Sequence, residues 1–318
     1  MKEKVLVMGG SYFIGKKVVE VLLENNYDVY TLNRGSRKVE DKRIKNIICD
    51  RDNEESLITT LFSFTFDYVV DISGLNKDQV EKLLNALNLD KLKKYIFLSS
   101  SAVYDIENLH YPFKENMNLK ENKIWTFYGK DKIEAEEYLK NNLINTNLTI
   151  LRPPYVYGED NYAQRESFIF DHLVNDKTII LPQNGERKLQ FIYSKDLAEI
   201  INKLLKETKD KIDIYNVGNK DAITIKEWIY ACAKVVNKEP KILEYDYKND
   251  NISERDFFPF FDYDNVLDVS KINTIYSKET DFQEGLLNAY KWYLDNKDNI
   301  IFKANVIENE KMILDRNK

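Results

Sequence analysis

Val5-Leu6-Val7-Met8-Gly9-Gly10-Ser11-Tyr12-Phe13-Ile14-Gly15 is the stretch that decides the fold. Its first four residues are apolar and read as a buried parallel strand. A glycine-rich turn follows at once, and residues 16–23 then place Val18, Val19, Val21, Leu22 and Leu23 at helical spacing. Strand, glycine-rich turn and helix in direct succession is the setting in which such a turn holds a dinucleotide. Free backbone N–H groups gather at the helix N-terminus, where the helix dipole favours a pyrophosphate. Gly9 permits the turn, and Gly15 permits close packing of helix on strand. Gly9, Ser11, Tyr12, Phe13, Ile14 and Gly15 are therefore candidate cofactor residues. A regular three-residue glycine spacing from Gly9 would put glycine at position 12, where Tyr12 stands instead.

The pattern continues outward. Residues 28–35 read as a second strand and its turn. The residue ending that strand faces the adenosine ribose in this architecture, and an acidic residue there favours NAD. Asn33 and Arg34 occupy the place, with Arg37 and Lys38 close by. Neutral plus basic suits a 2′-phosphate, so the expectation leans to NADP, against the plainer alternative of a solvated turn. Residues 44–49 form a third strand ending at Asp50, a candidate for the adenine edge. Helices are expected over 54–64, 77–89 and 125–141, and strands over 67–74, 94–101 and 148–152. The fourth strand ends near the small Ser73, and the sixth is closed by Pro153-Pro154. This alternation predicts an α/β fold, a Rossmann-type doubly wound parallel sheet with its site at the C-terminal strand ends. The dinucleotide-binding domain is expected over 1–155, with 191–218 returning to it. Residues 156–190 and 219–318 then make a smaller mixed substrate lobe. Residues 159–187 read as mixed and polar, and the tail beyond a helix near 282–294 has no assignment.

Composition limits the function classes. The chain has 318 residues, 43% hydrophobic and 31% charged, with 53 acidic against 47 basic side chains and a net charge of -6. That balance argues against general binding to nucleic acid or to an anionic membrane. No stretch approaches a membrane-spanning length. The apolar run after Lys4 is too short and too soon broken by glycine for a signal peptide. Two cysteines, Cys49 and Cys232, suggest packing rather than a disulfide framework, and a reducing cytoplasm fits. His110 and His172 read as surface or loop residues, and no cluster has metal-ligand spacing. The aromatic group from Phe257 to Tyr263 reads as core or a subunit contact.

The chemistry-bearing residues lie at the fifth strand and the helix after it. Tyr128 and Lys132 are four apart, so they share a helix face. An ammonium near a phenol lowers the phenol's pKa and readies it to act as a base. The serine run 99–101 can set a hydroxyl beside it. Such a set addresses the oxygen of a secondary alcohol while a nicotinamide takes the hydride.

These residues together give the chain its resemblance to the extended short-chain dehydrogenase/reductases of the NAD-dependent epimerase/dehydratase family. Gly9–Gly15 resembles the atypical fingerprint of that family, with a bulky residue in place of the middle glycine. Ser99-Ser100-Ser101-Ala102-Val103-Tyr104, Leu151-Arg152-Pro153-Pro154, Tyr157-Gly158, the 191–198 element, Asn216-Val217-Gly218 and 267–271 resemble later landmarks. The resemblance implies Ser100 as the catalytic hydroxyl, Tyr128 as acid/base, and Lys132 as its partner and a ribose contact. It implies Tyr128, Lys132, Ser73 and Pro153 beside NAD or NADP, a small-molecule substrate, and a possible homodimer. Ser101-Ala102 stand where the family's dehydratases carry an Asp-Glu pair, which argues against 4,6-dehydration. Leu189 stands where nucleotide-sugar epimerases carry a phosphate-binding arginine, which leaves Arg255 as a thinner candidate for that contact. Asp71 stands where most members have a histidine. Epimerisation of a sugar or nucleotide-sugar is the first expectation and NADP-dependent reduction of a small carbonyl the second. The third is a non-catalytic binding member, since the atypical group includes chloroplast stem-loop RNA-binding proteins.

Overall fold

The computed structural model describes residues 2–37, 39 and 41–317. The chain divides into two compact units, residues 1–154, 194–218 and 267–278 in one, and 155–193, 219–266 and 279–318 in the other. In chain order the first unit opens with β1 (Lys4–Met8), α1 (Phe13–Glu24), β2 (Asp28–Asn33), β3 (Lys45–Ile48), α2 (Glu54–Leu61), β4 (Tyr68–Asp71), α3 (Lys77–Ala86), β5 (Lys94–Leu98), α4 (Thr126–Asn142) and β6 (Asn147–Arg152). Then follow β7 (Tyr155–Tyr157), α5 (Arg165–Val174), β8 (Thr178–Pro182), β9 (Lys188–Leu189), β10 (Phe191–Tyr193), α6 (Ser194–Lys206) and β11 (Ile212–Asn216). The chain ends with β12 (Ile223–Thr224), α7 (Ile225–Val236), β13 (Lys241–Tyr245), α8 (Ser270–Asn273), α9 (Phe282–Asn296) and α10 (Ala304–Arg316).

The first unit is a seven-stranded sheet in the order β11-β6-β5-β4-β1-β2-β3, with every pair parallel. Strand order reverses between β1 and β4, and open α/β sheets bind ligands at that reversal. Met8 pairs with Asp71 across it, so the turn after β1 lies beside the end of β4. β1, β4 and β5 are apolar almost throughout because helices cover both faces. Asn53 and Asn76 cap α2 and α3 by accepting from Ser56 N and Gln79 N.

The second unit packs α5, α7 and α9 together. Beside them lie the parallel pairs β7–β10 and β8–β13 and the short antiparallel pair β9–β12. Its core is aromatic. Trp228 stacks on Phe191 with centroids 4.2 Å apart and meets Phe260 edge-on at 5.5 Å. Phe257, Phe258 and Phe260 are buried, so the aromatic group reads correctly as core. Thr224 caps α7 in a reciprocal box with Glu227.

Several sequence expectations shift. Residues 191–193 form a strand before α6 and belong with the second unit, while 267–278 return to the first. The polar stretch 159–187 holds α5 and β8, and the unassigned tail forms α10. His172 is buried rather than superficial. Its Nδ1 lies 2.8 Å from the Phe168 carbonyl of its own helix and its Nε2 2.8 Å from Glu310 Oε1 of α10, so α5 itself and the packing of α10 supply its partners. His110 is exposed, and Cys49 and Cys232 are buried free thiols. Among the described residues no helix is long and apolar enough to cross a membrane, and no group of three or more ligand-type side chains could hold a metal ion.

Candidate cofactor and catalytic site

The turn between β1 and α1 is built on close approach. A Cβ on Gly15 would lie 1.9 Å from the Gly9 carbonyl oxygen, so α1 sits directly on the turn. Gly9 has φ +87, and a Cβ there would lie 2.8 Å from Ser73 Cβ. The turn thus forms a cradle that any side chain at these points would fill, which is what a pyrophosphate between backbone amides requires. Tyr12 is extended and opens α1, and the Arg37 guanidinium lies 3.4 Å above its ring. Ser11 and Ile14 are half-buried on the same turn and Phe13 is buried.

Around the cradle, Asn33 ends β2 with its side chain engaged. Its Nδ2 donates to Asn46 Oδ1 at 2.6 Å and its Oδ1 accepts from Gly35 N at 2.9 Å. Arg34 and Arg37 are exposed beside it, and Lys38 lies outside the described residues. Asp50 is exposed after β3 and accepts from Asp52 N. Ser73 is half-buried after β4, and its Oγ accepts from Arg51 at 2.7 Å.

The catalytic candidates come from β5 and α4. Ser100 opens a short 3-10 turn, Ser101–Val103, and is 8% exposed. Its Oγ accepts from Ala102 N at 3.2 Å, which leaves its own O–H to donate. Pro153 is buried, and its carbonyl accepts from Ser101 N, tying the end of β6 to this turn. A Cβ on Gly129 would lie 2.5 Å from the Ala102 carbonyl oxygen, so α4 rests on the turn that Ser100 opens. This contact brings the helix of Tyr128 and Lys132 to Ser100. The buried stripe of α4 is Gly129, Lys132, Ala135, Glu136 and Leu139, a helical period. Tyr128 lies at its edge, 39% exposed and tilted against Trp125.

Lys132 lies inside, 2% exposed. Its Nζ donates to the Gly74 carbonyl at 2.6 Å and to the Leu98 carbonyl at 2.7 Å, at the ends of β4 and β5. Burial pulls its pKa down to about 8, against the opposing pull of Asp71.

Two buried ion pairs flank this group, and the sequence reading missed both. Arg51 is bidentate to Asp71 at 2.8 and 3.0 Å. Burial opposes the Asp71 carboxylate, but Arg51 first, with the Tyr95 hydroxyl and the Lys132 charge, holds the pKa below the ordinary value. Arg152 grips Glu136 at 3.0 and 2.6 Å, and Glu136 also takes the Ser99 hydroxyl at 2.5 Å. Ser99 therefore serves the ion pair, while its neighbour Ser100 opens the turn against α4. One signal was present: an aspartate closing the apolar run Tyr68-Val69-Val70 needs a buried cation.

In the second unit, Arg165 and Arg255 are half-buried near one another. Burial, and then the nearby Arg165 charge, lowers the pKa of Arg255. Arg165 lies over the Tyr155 ring at 4.8 Å, and its buried Nε has no partner.

The family model of the NAD dependent epimerase/dehydratases matches residues 5–218. The chain is 28% identical over 306 residues to the chloroplast stem-loop binding protein of 41 kDa b from Arabidopsis thaliana, covering 91% of this chain and 79% of that one. It is 26% identical over 318 residues to a putative UDP-glucose 4-epimerase of Methanocaldococcus jannaschii, covering 92% and 99%. The UDP-glucose 4-epimerase of Thermotoga maritima, solved with UDP-glucose, shares the fold at a TM-score of 0.78 and 18% identity, covering 92% of this chain and 99% of that one.

Proposed function

The chain belongs to the NAD dependent epimerase/dehydratase family of enzymes, and on that premise we propose that it epimerises a hydroxyl-bearing carbon of a nucleotide-sugar. The observation that carries this reading is the seating of α4 on the Ala102 carbonyl, which sets the helix that carries Tyr128 and Lys132 against the turn that begins at Ser100. A bound nicotinamide dinucleotide supplies reversible hydride acceptance. The glycine cradle after β1 fits it, with Gly9, Ser11, Tyr12, Phe13, Ile14 and Gly15 around the pyrophosphate. Asn33, Arg34 and Asp50 would then face the adenosine half, and Ser73 and Pro153 the nicotinamide half. In this reading Tyr128 takes the proton from the substrate hydroxyl and later returns it. Lys132 stabilises the phenolate, and Ser100 donates its free O–H to the reacting oxygen. Within the second unit, Arg255 and the neighbouring Arg165, both half-buried, support a phosphate-bearing substrate although Leu189 is not a cation. Neutral Asn33 with exposed Arg34 and Arg37 supports NADP over the NAD for which the family is named.

The test begins with mass spectrometry of the nucleotide released on denaturation, followed by titration with NAD, NADH, NADP and NADPH. A retained dinucleotide supports the epimerase, and retained NAD(H) removes the preference for NADP. An empty protein that binds NADPH reversibly favours net reduction of a carbonyl. Tyr128→Phe should abolish turnover, keep dinucleotide affinity, and change stability by no more than about 0.5 kcal/mol, because the ring is partly exposed. Full activity in that variant would refute the mechanism. Similarity to the stem-loop binding protein favours a second reading, binding of structured RNA. Salt-sensitive RNA binding with no affinity for any of the four nucleotides would establish it instead.

A further inference from the structure

Lys132 presents a problem that two hydrogen bonds do not solve. Its ammonium is buried, and its two observed acceptors are neutral carbonyls. The charged groups facing it are Asp71 at the end of β4, Arg51 after β3, and Glu136 one turn along its own helix. Tyr95 of β5 reaches it only through Asp71, to which its hydroxyl donates at 2.9 Å. Glu136 is committed to Arg152, Ser99 and Lys140. Asp71, engaged with Arg51 in the same way, is the stronger of the two anions acting on Lys132.

Asp71 is also tied to Lys132 through the backbone. Its Oδ1 accepts from Arg51 at 2.8 Å and from Gly74 N at 2.9 Å, and its Oδ2 accepts from Arg51 at 3.0 Å and from Tyr95. All four acceptor positions of the carboxylate are filled, so its orientation is fixed. Arg51 fastens the same segment again through Ser73 Oγ at 2.7 Å and the Gln79 carbonyl at 3.2 Å. Gly74, whose N–H Asp71 holds, is the residue whose carbonyl receives Lys132. We propose that Asp71 is the positioning residue for Lys132: it fixes the Gly74 turn that receives the ammonium and supplies the charge that balances it, while Arg51 keeps Asp71 ionised and aimed. This rests on the reading of Lys132 as the partner of Tyr128.

A buried ion pair with a purely structural role would change stability when broken, but would not move Lys132 according to the sign of the charge removed. The test is therefore an NMR titration of the Lys132 side chain in the dinucleotide-free protein labelled with 13C-lysine, assigned by its loss in Lys132→Met. In Asp71→Asn the midpoint should fall by about one pH unit or more, because an attractive charge is lost. Should Asp71→Asn not fold, Arg51→Gln/Asp71→Asn removes both charges. Its midpoint should still fall, since Asp71 acts more strongly than Arg51. No shift in Asp71→Asn, or a double variant at or above the wild-type midpoint, would each overturn the proposal. Dinucleotide titration of the wild type is read separately. If no nucleotide binds while the Lys132 shifts hold, the enzymatic reading fails and the positioning stands. If nucleotide binds and turns over while Lys132 does not shift, the positioning fails and the reading stands.

Discussion

One methyl group would be enough to close the turn after β1. Gly15→Ala places a Cβ 1.9 Å from the Gly9 carbonyl oxygen, and the obstacle is backbone, which cannot swing aside. α1 must lift from the turn, which widens the ring of amides that would face a pyrophosphate. The expected outcome is a loss of about 1–3 kcal/mol in a urea melt, the usual cost of overpacking, together with loss of dinucleotide binding by fluorescence titration. Unchanged affinity would mean that the turn does not hold the ligand. Gly15 and Gly9 were legible in the sequence because their demand is local: strand, turn and helix are contiguous. Arg51 and Asp71 were not, because twenty residues separate them and β3 lies three places from β4 in the sheet, so only the loop between β3 and α2 carries Arg51 to the end of β4. Phe13 at φ 43 and Thr126 at φ 44 were also illegible. Glycine, asparagine and aspartate announce a left-handed backbone, and a phenylalanine or threonine does not. Both residues open helices of the candidate site, where strained backbone is often concentrated.

α5 shows what an element can hide. It begins in a polar stretch, its preceding residue Gln164 is left-handed at φ 53, and no side chain caps it. Periodicity was present in Phe168, Ile169 and Leu173, but the flanking charges masked it. α4 was easier to find because Gly129, Lys132, Glu136 and Leu139 keep a strict helical period, yet the polar members of that stripe gave no hint of being buried. Within α5, Glu166 is fully buried, accepting from Gly158 N at 2.8 Å and from Asn161 Nδ2 at 2.9 Å. Burial raises its pKa to about 7, although both hydrogen bonds pull the other way. The folded state therefore holds this proton more tightly than the unfolded chain, whose glutamates titrate near about 4.3. The stability this proton contributes is fully present below about pH 4.3 and is lost as pH rises toward about 7, a fall of order 3 kcal/mol. Denaturant melts at pH 5 and pH 8 should show that loss in the wild type and a much smaller one in Glu166→Gln. Parallel pH dependence in the two proteins would refute the assignment.

Across the whole chain, the buried carboxylates divide by unit. Asp71 and Glu136 belong to the first unit, where arginines hold their pKa values below the ordinary ones against the cost of burial. Their contribution is present above the unfolded carboxylate values, about 3.9 and 4.3, and is lost as pH falls through the lower folded ones. Glu166 belongs to the second unit and runs the other way. Each unit has a core of its own, so each can open with its own free energy. The candidate dinucleotide cradle lies wholly in the first unit, on β1, β4 and β5. A ligand that binds only the closed form of a unit stabilises that unit by mass action, by about 2.7 kcal/mol at a hundred times its Kd. Hydrogen exchange at neutral pH with saturating dinucleotide should therefore slow amides of β1, β4 and β5 by up to about a hundredfold, while those of β8 and β13 keep their rates. Lowering the pH below about 4 should loosen the first set, after correction for intrinsic exchange, and raising it from about 4.3 to 7 should loosen the second. Equal protection of both sets by the ligand would mean that the two units open as one cooperative body, and the acid-side loss from Asp71 and the loss from Glu166 between about pH 4.3 and 7 would then both act on a single transition.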